Sequence, residues 1–221
     1  MAALAMASGL RAQLVVDFST GDAGWRVVDL LWPNGPYDTI IGGPFTPVFS
    51  AFEGDTANGF ITATDRPNAP TSYFQAPASF LSAVSAAYGA TVQFDLRTNG
   101  GGYFFTQPDV VLTGGGLTLL LNIDALQHGT TTNWTTYSFN LSAANWTLQG
   151  GGSPSALQFQ AALNSLSAFR IRAEYYDTIS ASLDNVRVSS AVPEPDAAAL
   201  LGLGLVLMAI RRPGRFCGNR T

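Results

Sequence analysis

The sequence predicts an all-β protein, a jelly-roll-like β-sandwich with one or two short helices, followed by a C-terminal hydrophobic helix. Short runs rich in Val, Ile, Thr and aromatic residues recur along the chain. Most of them alternate apolar with polar side chains, as Val92, Phe94 and Leu96 do with the residues between them, which directs one face to a core. Gly-, Asn- and Pro-rich turns separate the runs, for example at 97–102 and 148–156.

Eight runs carry the strand signal. They are QLVVDFS (13–19), GFITATD (59–65), ATVQFDLRT (90–98), DVVLTG (109–114), LTLLLNID (117–124), WTTYSFNLS (134–142), AFRIRAEYY (168–176) and ASLDNVRVSS (181–190). About seven to nine strands, roughly ten to twenty residues apart, favour a sandwich over a barrel or a propeller.

Three stretches depart from the strand pattern. Residues 76–89 (APASFLSAVSAAYG) would fit one helical turn or a wide loop. Residues 153–167 (SPSALQFQAALNSLS) space their leucines in a roughly helical way, with Ser153-Pro154 suited to the start of a helix. Residues 30–49 (LLWPNGPYDTIIGGPFTPVF) are rich in Pro and Gly, which predicts an extended excursion between strands.

Charge and cysteine content exclude several protein classes. Residues 14–190 hold 6 Arg against 13 Asp or Glu, which leaves a net charge of −7. An acidic region without basic clusters argues against nucleic acid or anionic membrane surfaces as partners. The one cysteine, Cys217, cannot form an internal disulfide, so the fold must depend on burial.

The two ends of the chain differ from its middle. Residues 1–13 are small and apolar, and we expect them to be the remainder of a secretory signal peptide. The apolar stretch Ala197–Ile210 would reach only about 21 Å as a helix, whereas a bilayer span needs about 20 residues. It is therefore a marginal membrane anchor, a C-terminal core helix or a processed signal. The chain divides accordingly into 1–13, 14–190 and 191–221.

The C-terminal residues resemble a known signal. Pro193, Glu194 and Pro195 precede a Leu/Gly/Ala-rich segment, and Arg211 and Arg212 follow it. This tripartite pattern resembles the PEP-CTERM sorting domain of Gram-negative bacteria. The resemblance implies transient anchoring in the inner membrane, processing by an exosortase near Pro-Glu-Pro, and export to the cell surface or the exopolysaccharide matrix.

The middle of the chain is similar to the laminin B domain, also called laminin domain IV type A. The match runs in order through Asp17–Val188, and its most telling pieces are Tyr73–Leu81, Tyr88–Leu96, Asp109–Leu117 and Ile171–Val186. The resemblance implies a galactose-binding-like jelly roll that serves as a non-catalytic extracellular module. This chain lacks the flanking Cys-rich repeats of laminins, so their network functions do not transfer.

Few residues could carry catalytic chemistry. His128 is the sole histidine and lies in a Gly/Thr-rich stretch, where we expect a solvated loop rather than a catalytic triad. Metal sites that require Cys or several His are excluded by count. Carboxylate pairs remain for a glycan-active enzyme, but most of the acids lie in predicted turns or, like Asp95, on polar strand faces that solvent would cover.

Calcium is the expected ion, because Asp and Asn oxygens suit it. Jelly-roll modules that resemble this one hold a structural Ca²⁺ between the first and last strands, which implies Asp17 and Asp184 here. The alternative is that Asp184 and Asn185 merely cap a turn before the last strand.

Aromatic side chains predict a saccharide-binding patch, because flat rings stack on sugar faces. Trp32 and Tyr37 lie in the Pro/Gly-rich excursion, and Tyr103 and Phe104 lie near a second Gly-rich turn. If these rings are packed instead, they only cover the sandwich. Three tryptophans in strand contexts are expected to be core: Trp25, Trp134 and Trp146.

Together these features predict an exported, non-catalytic surface module. Its expected role is adhesion or structural support in the exopolysaccharide matrix, with polysaccharide as a possible ligand class. The alternatives are a secreted glycan-active enzyme and a purely structural surface protein without a ligand.

Overall fold

The described residues form a two-layer antiparallel β-sandwich with two short helices, as the sequence predicts. The computed structural model describes residues 14–31, 36–52, 54, 58–64, 71–98, 105–123, 132–176 and 181–189, which all belong to one compact unit, Met1–Ala191. Within these ranges the strands are β1 (Leu14–Val16), β2 (Arg26–Leu30), β3 (Ile40–Phe45), β4 (Val48–Ser50), β5 (Phe60–Ala63), β6 (Ser72–Gln75), β7 (Thr91–Thr98), β8 (Val110–Gly114), β9 (Leu117–Leu121), β10 (Thr135–Asn140), β11 (Trp146–Leu148), β12 (Leu166–Arg172) and β13 (Ala181–Val188). The helices are α1 (Ala78–Ser85) and α2 (Ala156–Asn164).

The strands form two sheets in which each described pairing is antiparallel. The first sheet has the order β10-β7-β13-β5-β4, with β1 also pairing with β13. The second sheet has the order β11-β9-β8-β12-β6-β2-β3. Each of the eight predicted runs contains a strand. In β7 the inward side chains Val92, Phe94 and Leu96 are buried at every second position.

Five strands were not predicted: β2, β3, β4, β6 and β11. The expected excursion over 30–49 contains β3 and the start of β4, so that prediction is wrong for these residues. Both strands lie at sheet edges, and β3 is exposed along nearly its whole length. An edge strand with little burial has no need of a strict apolar alternation, which is why the pattern missed it.

Both helices differ from the prediction: α1 is longer than expected, and α2 begins later. The 76–89 stretch forms α1, which has eight residues rather than one turn and buries Phe80 and Val84. In α2 the N-cap is Ser155, not the predicted Ser153-Pro154. The Ser155 hydroxyl accepts a hydrogen bond from the Gln158 amide, and the Gln158 side chain accepts one from the Ser155 amide, a capping box that satisfies both donors.

Aromatic rings fill the space between the sheets and the helices. The Trp25 ring lies 5.3 Å from Phe80 and 6.5 Å from Phe169, both edge-on. Trp146 packs edge-on against Phe159 of α2 at 5.4 Å. Trp25 and Trp146 are therefore core residues, as predicted. Such aromatic burial supplies the stability that this chain must reach without an internal disulfide.

The predicted sorting residues Pro193, Glu194, Pro195, Arg211 and Arg212 lie outside the described residues, as does the predicted C-terminal helix. In the part of the chain that the structure describes, no helix is long and apolar enough to cross a membrane.

Candidate functional site

The acidic residue Asp184 lies in the middle of the last strand, β13, and faces away from the core. Its neighbour across the sheet is Asp95 of β7, and both side chains are 0% exposed. The prediction that solvent covers Asp95 is therefore wrong. The alternative that Asp184 and Asn185 cap a turn before the last strand is also wrong, because both lie inside β13, where the β7 register shifts at a bulge.

Asn185 connects the two buried carboxylates. Its side-chain nitrogen donates to Asp95 Oδ2 at 2.8 Å and lies 3.3 Å from Asp184 Oδ2, while its backbone N–H donates to Asp184 Oδ1 at 2.6 Å. Thr136 donates to Asp95 Oδ1 at 2.6 Å. Arg187 is 3.7 Å from Asp95 Oδ2. This network places two carboxylates in a buried position, where each must be held by hydrogen bonds or by positive charge.

Three oxygen atoms converge beside Gly54. A Cβ atom at Gly54 would lie 2.5 Å from Asp184 Oδ2, 2.7 Å from the Asn58 carbonyl oxygen and 2.8 Å from Asn58 Oδ1. The Asn58 carbonyl already accepts the Gly54 N–H at 2.9 Å. Asn58 Oδ1 is buried and accepts no hydrogen bond from a described residue. A buried acceptor without a donor is costly, so this oxygen also fits a cation.

Asp17 occupies a different environment. It follows β1, which pairs with β13 through Val16 and Val186, but its side chain is exposed. Asp17 Oδ1 accepts the Ser19 N–H at 3.1 Å, and this hydrogen bond lowers the pKa of Asp17. Among the described residues, no group of three or more His, Cys, Asp or Glu side chains is arranged to hold a metal. A cation here would depend on amide and carbonyl oxygens as well.

The residues at Gly54 fit calcium by their chemistry. Asp184 supplies a carboxylate, and Asn58 supplies a side-chain and a main-chain oxygen, which are the hard ligands that Ca²⁺ prefers at about 2.3–2.6 Å. Bound calcium would add a positive charge beside the buried Asp184 carboxylate. The resemblance implies Asp184, whereas the sequence gives no signal for Asn58 and Gly54, because Asn58 and Asp184 lie 126 positions apart in the chain.

The predicted aromatic patch is described only at Tyr37. Its ring is half-buried against Val28, Leu30, Tyr73 and Val111, a small apolar cluster on the outer face of the second sheet. This partial burial raises the pKa of the Tyr37 phenol. The other three predicted contact residues, Trp32, Tyr103 and Phe104, lie outside the described residues, as does His128.

Two hydrogen bonds hold the Tyr37 backbone in place. Its N–H donates to Gln149 Oε1 at 2.6 Å, and its carbonyl accepts Arg170 Nη1 at 3.3 Å. Tyr37 therefore packs on the sheet and remains partly exposed. Its contribution to ligand binding stays a prediction.

A buried ion pair on the same sheet was not predicted. Arg172 Nη2 lies 2.7 Å from Asp109 Oδ1, and both side chains are 0% exposed. The Arg172 guanidinium also donates to the Phe105 carbonyl at 2.9 Å and lies 3.9 Å from the centre of the Tyr175 ring. Ile123 donates its N–H to Asp109 Oδ2 at 2.7 Å. The pair ties β12 to the segments before β8 and after β9, so it organises this side of the sandwich.

Asp29 and Glu174 form a second carboxylate pair that bears on the enzyme alternative. Asp29 Oδ1 accepts the Ser72 hydroxyl at 2.8 Å, and Glu174 Oε2 accepts the Ser72 N–H at 2.9 Å. Both acids are buried, at 4% and 7% exposure. Since each carboxylate holds a structural donor, this arrangement is typical of a fold-stabilising cluster.

Comparison with known proteins identifies relatives of the chain. The family model for laminin B (domain IV) matches residues 73–201. Laminin subunit gamma-2 of Equus caballus is 35% identical over 131 residues, which are 58% of this chain and 11% of that protein. Laminin subunit gamma-1 of Homo sapiens is 31% identical over 129 residues, 58% of this chain and 8% of that protein. The chain thus spans about a tenth of the length of the curated relatives it matches.

Solved structures with a similar fold are more distant. The L4b domain of human laminin alpha-2 has a TM-score of 0.49 at 15% identity and covers 60% of this chain and 80% of that chain. A family 11 carbohydrate-binding module from Clostridium thermocellum has a TM-score of 0.47 at 11% identity. The match covers 82% of this chain and 98% of that chain. Scores this low bear on neither mechanism nor ligand. The family match, however, covers more than half of the sequence, so this chain belongs to the laminin B (domain IV) family.

Proposed function

We propose that this chain is an exported, non-catalytic module that acts in adhesion or structural support at the surface, or in the exopolysaccharide matrix, of a Gram-negative bacterium. Membership of the laminin B family, through residues 73–201, is the observation that carries the proposal. A galactose-binding-like jelly roll is the proposed fold class within the observed sandwich. The acidic charge of residues 14–190 supports a role away from nucleic acid and anionic membrane surfaces.

Export and sorting form the second part of the proposal. Residues 1–13 act as a signal peptide, 14–190 as the module, and 191–221 as the sorting segment. An exosortase would cleave near Pro193, Glu194 and Pro195 while the apolar stretch rests in the inner membrane and Arg211 and Arg212 remain on its cytoplasmic side.

Mass spectrometry of the mature C-terminus in the native host tests the sorting step. We expect a chain that ends near Pro195 and is found at the cell surface. Replacing Pro193-Glu194-Pro195 with three alanines should leave the chain uncleaved, whereas alanines at 218–220 should not affect cleavage. Recovery of native chains that end at Thr221 would overturn the proposed localisation.

Polysaccharide is the proposed ligand class, and calcium the proposed structural ion. The accessible part of Tyr37 would contribute to a stacking patch with Trp32, Tyr103 and Phe104. Calcium at Asp184 and Asn58 would fix the loop that precedes β5 against β13. Asp17 is a proposed additional ligand, although its carboxylate is engaged with Ser19.

A glycan-active enzyme is the rival function. The carboxylate pair Asp29 and Glu174 is buried and hydrogen-bonded to Ser72, which favours a binding module over a hydrolase. Release of reducing ends from a polysaccharide panel separates the two functions. We expect no release by the purified chain, and release that tracks the protein through purification would support the enzyme.

A further inference from the structure

A polar cavity lies at the open edge of the sandwich, on the side where β10 ends the first sheet and β11 ends the second. It encloses about 470 Å³ between the end of β9, the strand β10 and the connection from β10 to β11. Amide and hydroxyl side chains dominate its polar lining: Asn122, Ser138, Asn140, Ser142 and Asn145. Among the described residues that line it, none is charged. Neither the calcium site nor the aromatic patch includes any of these residues.

Two aromatic residues of the core also border the cavity. Phe139 and Trp146 line it and are 8% and 1% exposed. Their rings pack edge-on at 5.7 Å, and Trp146 Nε1 donates to the Asn140 carbonyl at 3.1 Å. The indole is thereby held beside Asn140 and is almost fully buried. The cavity thus presents mainly its exposed polar lining residues, Asn122, Ser138, Asn140 and Asn145.

We infer that this cavity binds a neutral saccharide end, a proposal that rests on the proposed polysaccharide-binding function. Carboxamides donate and accept hydrogen bonds, and hydroxyls do both as well, so the lining matches a ligand whose own hydroxyls do both. A ligand with a full charge would enter without a counter-charge, which is costly in a partly enclosed site.

The charge of the module excludes acidic glycans from the same site. Residues 14–190 carry a net charge of −7, and the lining residues that the structure describes include no Arg to pair with a carboxylate. Uronic-acid or sulfated polymers would therefore be repelled. The volume lies at the smaller end of the range for ligand sites, about 300–1,000 Å³. The ligand class is accordingly a neutral mono- or disaccharide unit at a chain end.

Calorimetric titration of the full chain with cellobiose, maltose, lactose and digalacturonate tests the inference. We expect at least one neutral disaccharide to bind, and digalacturonate not to bind. The double variant Asn122→Ala/Ser138→Ala removes two exposed polar groups from the lining and should weaken binding about tenfold or more. Asn164→Ala, at an exposed asparagine on α2, is the matched control and should bind like the parent protein.

A second pair of variants tests the position of the site by steric blocking. Ala144 is exposed and lines the cavity, so Ala144→Tyr should abolish binding while leaving the melting temperature close to that of the parent. Ala161→Tyr, on the exposed face of α2, should have no effect on binding. Loss of binding in Ala144→Tyr but not in Ala161→Tyr supports the cavity.

Three results would overturn the inference. They are failure of all neutral disaccharides to bind, tighter binding of digalacturonate, and unchanged affinity in both cavity variants. If the affinity is unchanged in these variants but lost in Trp32→Ala, the chain binds saccharide at the aromatic patch, and the proposed function survives without the cavity site. Sorting and surface display are read by mass spectrometry and do not depend on these titrations.

Discussion

Replacing Asp109 with alanine is expected to lower the free energy of unfolding by about 3–5 kcal/mol. The change removes the partner 2.7 Å from Arg172 and leaves a guanidinium that is 0% exposed. The Phe105 carbonyl and the Tyr175 ring would remain, but neither carries a full negative charge. Urea denaturation followed by tryptophan fluorescence measures the effect, because Trp25 and Trp146 are buried in the core.

The exposed pair of Asp22 and Arg26 is the matched control. Its atoms are 2.6 Å apart, but the side chains are 25% and 40% exposed. Asp22→Ala should therefore lower the stability by only about 0–1 kcal/mol. The double replacement Asp109→Leu/Arg172→Met should be less harmful than Asp109→Ala alone, since it leaves no unpaired buried charge. A loss in Asp109→Ala no larger than in Asp22→Ala would show that the buried pair is unimportant.

The architecture was predictable wherever apolar and polar side chains alternate along a strand. In β7, Val92, Phe94 and Leu96 point to the core, and their spacing alone predicts the strand. In β3, both faces are largely exposed, so the composition carried only turn signals from Gly42 and Pro44. The prediction failed there because edge strands are formed by pairing with a neighbour, which the local sequence does not encode.

The outer faces of both sheets were the main source of error. Alternation marked Asp95 and Arg172 as polar, and polarity indicates solvent in most strands. Here Asp95 meets Asn185 and Thr136, and Arg172 meets Asp109, so that both are buried with partners. Such pairings join segments far apart in the chain, and no local pattern predicts them.

Trp134 was predicted to be a core residue, and this prediction is wrong. Its side chain is half-buried beside Phe60 and Arg97 and does not lie in the core.

The proposed calcium site illustrates which part of a candidate site a sequence can suggest. Asp184 could be proposed from the sequence because the resemblance implies a ligand in the last strand. Asn58 and Gly54 became visible only when the loop before β5 was found beside β13. Gly54 matters there because any side chain would fill the point at which the three oxygens converge.

Calcium is expected to raise the melting temperature by about 5–10 °C at a concentration about 100 times its dissociation constant. Binding at that saturation stabilises a folded protein by about 2.7 kcal/mol, and each kcal/mol shifts the midpoint of a domain of this size by about 2–4 °C. The stabilisation has a physical source, because the ion would satisfy Asn58 Oδ1 and the buried Asp184 carboxylate together. Differential scanning calorimetry in CaCl₂ and in EGTA measures the shift directly.

Three variants assign the ligands. Asp184→Asn removes the carboxylate charge, Asn58→Ala removes the side-chain oxygen, and Gly54→Ala fills the space between them, so each should abolish the calcium-dependent part of the shift. Asp17→Asn tests whether the Asp17 carboxylate is a calcium ligand in addition to Asp184 and Asn58. If it keeps the shift, the ion is held beside Gly54 without the first strand, and if it loses the shift, the carboxylate after β1 is a ligand as the sequence predicts. Equal melting temperatures of the parent protein in CaCl₂ and EGTA would rule out the site altogether, because an ion that neutralises a buried carboxylate must stabilise the fold that buries it.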